Sequence, residues 1–532
     1  MPNPEIQHVD SMLGWLRGYF ALCALVFVAV AGLGGWYAAK RRDQWIWILP
    51  AAGLVYGVSL PFHWHFTNDD SFIFYRFAEN LAAGMGPVYN PGLPCEGFTS
   101  PAWTYLLAIG NVLGMPTLWF SKVVGSVLGA VSLLLLVLTA RRICDDTRVI
   151  FLSATFVATS QILMAWIPSG MDTALFVAWL CLQAYALVRW PGGLFPQTIL
   201  AAIGVWIRPE AYFVSLIGLC WAFYIQLREP LAWRRTLLAI VAIAAMLLPF
   251  IWRHITFGEL LPTTFYAKSD RTIRSGLGFL FGAINGYGAI AWTVALIGLW
   301  KLRRRMPWAG LLLITIASYV VWVGGDVLIQ RFSLWWFPVV IIGLVAGLSR
   351  VIDTDQFNSR VLIPLVALLL SGQELHRMYG ATRPGSENDG YSYVSSNGVH
   401  TAEADAAIGM YLRTHGAPND TLVTDNIGAI GYYSGMVIVD VLGLVDAQVA
   451  SLIHESKKDA ILSLVVARRP QWIVGYQVLG SEAFHIPNVG ILPTGFMETY
   501  ELSGRWQSRT GYTRLLWKRK ADGFERNAAP QN

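Results

Sequence analysis

Two adjacent carboxylates, Asp69 and Asp70, follow directly on an apolar stretch, Trp45 to Phe66, long enough to cross a bilayer. Residues 70–80 (DSFIFYRFAEN) read as an amphipathic helix lying along the membrane interface. That helix leads into a turn-rich loop, 84–92 (GMGPVYNPG), and then into 96–103 (EGFTSPAW). An acidic pair beside an aromatic helix at lipid level points to a site where a lipid-borne head group meets a carboxylate. Such a carboxylate can accept a proton from a hydroxyl, since partial desolvation raises its basicity. It can also do something plainer: one of the pair is expected to cap the interfacial helix, whose N-terminus favours Asp.

Four further segments carry polar residues of the same kind: 169–173 (SGMDT), 208–210 (RPE), 258–268 (GELLPTTFYAK) and 324–332, which opens with GGD and closes with Arg331-Phe332. The elements between them are apolar runs near 18–39, 44–62, 118–140, 149–166, 173–189, 195–207, 211–227, 236–252, 283–300, 307–323, 333–349 and 360–373. The two runs flanking Arg208, Pro209 and Glu210 are short for a crossing of about 20 residues and read as a broken or re-entrant pair. Basic clusters at 40–42, 141–148, 228–235, 301–305 and 349–360 alternate with loops of sparse, mixed-sign polar residues. Placing the clusters in the cytoplasm gives about twelve spans with both chain ends outside. All five polar segments then fall on the external face, and their convergence on one site is expected.

Composition agrees with this organisation. The 532 residues are 55% hydrophobic and 14% charged, against about a quarter charged in soluble domains. The net charge of +6 resides in loop clusters between apolar runs, not in a basic face, which argues against nucleic-acid binding. The five Cys show neither a disulfide framework nor metal-ligand spacing. The first apolar run has no basic segment before it and no clear cleavage site, so it is expected to be a retained anchor.

Hydropathy drops from about Gln373, and residues 383–390 (RPGSENDG) read as a linker. The expected division is a transmembrane domain, 1–372, with its acidic external loop at 66–116, and an external α/β domain, 373–532. Within the latter, a helix is predicted over 401–414, strands over 421–424, 437–441 and 472–476, a helix over 456–468, and antiparallel strands over 497–502 and 512–517. Gly428, Gly431, Gly435 and Gly443 punctuate turns, with no GxGxxG of a nucleotide fold.

The motifs 68–80, 89–92 with 96–103, 208–210, 261–268, 324–326 with 331–332, and 425–428 with 441–444 resemble the terminal arabinofuranosyltransferases of the mycobacterial cell wall and their bacterial relatives. These are multi-spanning glycosyltransferases of the GT-C fold that use polyprenyl-phosphate sugars. The resemblance implies a polytopic inner-membrane enzyme whose active site and C-terminal domain are periplasmic. It would move a sugar, a pentofuranose in the nearest case, from a polyprenyl-phosphate donor to a cell-envelope glycan or lipid acceptor. The resemblance also implies that an aspartate of the first external loop is catalytic, which falls here on Asp69 and Asp70. A glycosyl phosphate needs no strong general acid as it leaves, only cations near it; Arg208, Lys268 and Arg331 are the candidates. Arg76, Glu96, Asp172, Glu210, Tyr266 and Asp326 are assigned to sugar or acceptor binding, with helix capping the competing role for Asp172. No definite cofactor is assigned and a divalent cation stays open, since Glu96, Glu210 and Asp326 are carboxylates of the type that suits one. The competing class is a non-catalytic GT-C-like assembly factor or a lipid-sugar flippase. A flippase places charge along its spans, whereas here charge gathers in loops.

Overall fold

The computed structural model describes residues 4–520 except 42, 65, 228–231, 268–271, 327, 329–330, 353–358, 382–397, 458, 478–483 and 508–512. The expected linker at 383–390 lies outside the described residues. Every apolar run read from the sequence is helical. Five helices are long and apolar enough to cross a membrane: Arg17–Lys40, Thr117–Ile143, Trp233–Phe257, Arg331–Ile352 and Ser359–Tyr379. A sixth candidate is the pair Ile273–Asn285 and Ala289–Leu302, bent by 96° at Gly288, whose positive φ of 83° suits glycine. Six shorter apolar helices of 10–17 residues complete the set. The chain is a multi-pass, mainly helical membrane protein with a small C-terminal α/β sheet.

Packing separates two compact units: residues 1–66, 119–249 and 271–396, and residues 67–118, 250–270 and 397–532. Hydropathy divides the chain linearly near 372, whereas packing gathers the acidic loop and the 250–270 segment with the C-terminal residues.

In the first unit, helix Ala289–Leu302 lies directly on helix Phe337–Ile352. Gly343 and Gly347 present a GxxxG seam, and a β-carbon on either would run into the backbone of Ala295 or Val294. Small residues of this kind let membrane helices approach backbone to backbone. Helices Leu194–Ile207 and Ala211–Gln226 form the expected broken pair. The Gln226 side chain donates to the Gly192 carbonyl at 2.6 Å, so the open ends of the hairpin meet and its turn is Arg208-Pro209-Glu210. At about 1.5 Å per residue each arm is only about 21–24 Å long. The run expected at 149–166 is broken as well. Ser160 (ψ 105°) interrupts it, and the Gln161 N–H freed by the break donates to Glu374 at 2.9 Å.

In the second unit the acidic helix is Asp69–Ala82, and helix Pro101–Val112 packs beside it. The strands are β1 (Val88–Asn90), β2 (Leu93–Pro94), β3 (Thr421–Thr424), β4 (Val437–Asp440), β5 (Trp472–Gln477), β6 (Phe484–His485), β7 (Tyr500–Gln507) and β8 (Thr513–Arg519). The main sheet runs β4-β3-β5-β8-β7, with β6 beside β5. β3 is parallel to both β4 and β5, and the β5–β8–β7 half is antiparallel, as expected of 497–502 and 512–517. The edge strand β4 is not left open. Asn90 accepts from the Ile438 N–H at 3.0 Å and donates to the Ile438 carbonyl at 2.8 Å, so one side chain imitates a neighbouring strand. The Cys95 thiol donates to the Val445 carbonyl. These bonds are why the first loop belongs to the core of the C-terminal unit.

Candidate active site

Asp69 begins its helix but does not cap it. The cap is Asn68, whose extended backbone (φ −75°, ψ 142°) lets its side chain accept from the Asp70 N–H at 3.1 Å. The expectation that one of the acidic pair caps the helix is therefore corrected. Asn is as good a cap as Asp, and its position one residue earlier suits the role. The Asp69 carboxylate instead accepts the backbone N–H of Ala429 at 2.9 Å. Ala429 opens the short helix Ala429–Ser434, just after the turn that leaves β3. A β-carbon on Gly428 would fall on the Asp69 carboxylate and carbonyl, so only glycine admits this approach. Phe72, one turn further along the acidic helix, packs on Tyr432 and Tyr433, with ring centres 5.5 and 5.4 Å away. Burial, and then the facing charge of Asp405, push the Asp69 carboxyl up to about 8, against the pull of the Ala429 N–H.

The turn that holds Asp69 is itself braced. Arg514 on β8 donates to Asp425 at 2.9 Å and pairs with Asp405 at 3.2 Å. Tyr476 donates to the other oxygen of Asp425 at 2.9 Å, and its ring lies 4.2 Å from the Arg514 guanidinium carbon. The Asn426 amide donates to Asp405. Asp425 is thus an ion-pair partner of Arg514. Asp405 and Arg514 carry no motif that would single them out in the sequence: one lies on a helix face and the other in an alternating strand.

Other expected site residues of this unit are occupied within it. Arg76 donates to the carbonyls of Tyr89 (2.9 Å), Gly431 (2.6 Å) and Met436 (2.7 Å) and to the Asn90 side chain (3.3 Å). Its guanidinium is buried and spent on backbone oxygens, which fastens the acidic helix to the sheet. Glu96 forms a buried ion pair with Arg253 at 2.7 Å. The Tyr266 hydroxyl donates to Glu259 at 3.3 Å, and the Tyr266 ring stands edge-on to His454.

In the first unit, Arg208 sits at the turn of the helical hairpin and meets two acids. Its Nη1 donates to Asp172 at 2.7 Å, while Nε and Nη2 grip Glu210 at 2.9 and 3.2 Å. The Tyr319 hydroxyl adds a bond to Glu210 at 3.2 Å, and Phe176 and Trp335 flank the guanidinium. Asp172 occupies the cap position of its helix without bonding it, so the competing capping role is corrected; its partner is the buried Arg208. Arg331 pairs with Asp326 at 2.7 Å. Arg208 thus stands between two carboxylates, and Arg331 pairs with one. Lys268 lies outside the described residues. Lys122, which the sequence did not single out, is buried and donates to the carbonyls of Trp64, Phe66 and Pro168 at 2.7–2.9 Å. Among the described residues no three His, Cys, Asp or Glu are grouped to hold a metal ion.

The chain is similar to several known proteins. The sequence model of a family described as a domain of unknown function (DUF8728) matches residues 394–522. Over 263 residues, 46% of the chain, it is 30% identical to the terminal beta-(1->2)-arabinofuranosyltransferase of Mycobacterium tuberculosis (strain ATCC 25618 / H37Rv). The match spans 38% of that relative's length. Among solved structures, ArnT from Cupriavidus metallidurans bound to undecaprenyl phosphate superposes with a TM-score of 0.54 at 12% identity, over 88% of this chain and 97% of that one. The apo form gives the same TM-score over 89% of this chain. The chain has the GT-C fold and resembles the arabinofuranosyltransferases.

Proposed function

We propose that this protein is an integral-membrane glycosyltransferase that takes a sugar from a polyprenyl-phosphate donor and adds it to a glycan or lipid acceptor of the cell envelope. The active face and the C-terminal domain would lie outside the cytoplasm, in the periplasm of an inner-membrane protein. Nucleotide sugars are absent there, and a lipid carrier is the natural donor. The relatives support the class of reaction: one is named as an arabinofuranosyltransferase, and the ArnT structure holds undecaprenyl phosphate.

The observation that carries the reading is Asp69. Its capping role is filled by Asn68, one of its oxygens is fixed by Ala429, and its carboxyl is raised to about 8. A carboxylate so placed is a stronger base than one in water, and it can take a hydroxyl proton near neutral pH. In the reaction we assign, the acceptor O–H proton passes to Asp69 as the acceptor oxygen bonds the anomeric carbon. The bond from that carbon to the phosphate oxygen breaks, and the polyprenyl phosphate leaves with the electron pair. Lys268 stays the candidate cation for the departing phosphate. Arg208 and Arg331, already matched by acids, are assigned to holding their own loops.

The test is mass spectrometry of membrane lipids from a deletion strain. Accumulation of a polyprenyl-phosphate sugar, cleared by restoring the gene, is expected, and the mass would identify the sugar. An unchanged lipid profile, together with no transfer by the purified protein from polyprenyl-phosphate sugar fractions, would favour the non-catalytic reading.

A further inference from the structure

The C-terminal segment matched as a domain of unknown function holds three features that converge on one carboxylate. The turn Asp425-Asn426-Ile427-Gly428 ends at Ala429, whose N–H donates to Asp69 at 2.9 Å. The lack of a side chain on Gly428 leaves the space that the Asp69 carboxylate fills. Behind the turn, Arg514 clamps Asp425 and Asp405 together, and Asn426 ties the turn to Asp405.

We propose that this domain is the positioning element for Asp69: the turn Asp425–Ala429, braced from behind by Asp405 and Arg514, fixes the carboxylate in place. The inference rests on the reading of Asp69 as the base. It assigns to Asp405, Asp425, Gly428 and Arg514 a role in transfer without contact to either substrate. An interaction with one carboxylate oxygen from a braced turn is what a base needs if its other oxygen is to meet a hydroxyl in a single orientation.

Several charged or titratable groups face Asp69: Asp70 from its own helix, Asp405 from helix Gly398–His415, Arg514 from β8 and Tyr89 from β1. Asp405 in turn faces Arg514 and Asp425. Asp405 is the largest charge effect on Asp69, and a like charge favours the protonated form. Removing it makes Asp69 a weaker base that ionises at lower pH.

The experiment compares pH profiles of kcat/KM for sugar transfer by the full-length protein, as wild type, Asp69→Asn, Asp405→Asn and Asp405→Glu. We expect Asp405→Asn to move the acidic limb down by about one pH unit or more and to lower the high-pH plateau. Asp405→Glu should restore both. A loss of packing alone would lower the plateau and leave the limb in place. If Asp69→Asn is inactive while the Asp405→Asn limb superimposes on wild type, the positioning inference is overturned and the reading of Asp69 stands. If Asp69→Asn transfers at the wild-type rate, that reading itself has failed. Gly428→Ala covers the case in which Asp405→Asn does not reach the membrane. Its methyl group meets both the Asp69 carboxylate and the Asp69 backbone carbonyl, so in protein that reaches the membrane kcat should drop by about tenfold or more with donor KM little changed. An unchanged kcat would overturn the inference.

Discussion

Asp69 and Asp70 are chain neighbours with different surroundings. Asp69 accepts the Ala429 N–H and faces Asp405, whereas the Asp70 N–H is what Asn68 caps. Asp70→Asn should therefore reduce transfer less than Asp69→Asn, by about tenfold or less if its charge acts only through Asp69. Steady-state rates with the same donor fractions decide this, and the reverse order would shift the catalytic role to Asp70. Protonation gives a second residue-scale expectation. Burial pushes the Asp69 carboxyl up to about 8 and the Asp405 carboxyl up to about 6 in the folded protein, above the value of about 3.9 for an unfolded Asp. The folded state thus binds more protons, and the contribution of this pair is full below about pH 4. It is lost as pH rises through about 6 and then about 8. The thermal midpoint in detergent, wild type minus Asp69→Asn, should fall between about pH 5 and about pH 9. A difference that rises over that window contradicts the elevated carboxyls.

The turn of the helical hairpin Leu194–Gln226 depends on its charge cluster. Arg208 stands between Asp172 and Glu210, all three buried. Arg208→Met would strand two carboxylates, and removing one partner of a buried pair costs about 3–5 kcal/mol. The expected outcome is a large fall in thermal midpoint and in membrane yield. Normal stability with weakened binding of polyprenyl phosphate would instead restore Arg208 as a phosphate ligand. Elements of this kind were legible to different degrees. Strand 421–424 and the broken pair around 208–210 follow from apolar periodicity and from the shortness of the runs. The break at Ser160 and the strand-like use of Asn90 do not. Each depends on a tertiary partner, such as Glu374 for Gln161 or Ile438 for Asn90, that local sequence does not reveal. For the same reason the acids of the candidate site were legible as types, while their Arg partners at 253, 208 and 514 were not assigned to them. Residue spacing does not encode distance between segments 36 to 157 positions apart.

At the scale of the whole molecule, the sequence showed a polytopic chain with a C-terminal α/β segment. It concealed that residues 67–118 and 250–270 are built into the same compact unit as that segment. This unit carries Asp69, its cap, its clamp and the brace behind the clamp. The proposed orientation in the membrane rests on the basic clusters. Cysteines introduced as Glu501→Cys and Arg304→Cys, probed with an impermeant reagent in intact spheroplasts, should be labelled and protected respectively. The opposite pattern would invert the topology and place the acidic loop where nucleotide sugars are available. The most direct measurement remains the transfer rate of Asp69→Asn, with purified polyprenyl-phosphate sugar and an acceptor extract. Asn keeps the size of the side chain and an oxygen to accept the Ala429 N–H, so folding and membrane yield should be near normal. Loss of an essential base costs on the order of a hundredfold or more in rate, and that loss is what the account predicts. Transfer at the wild-type rate by a folded Asp69→Asn protein would contradict it.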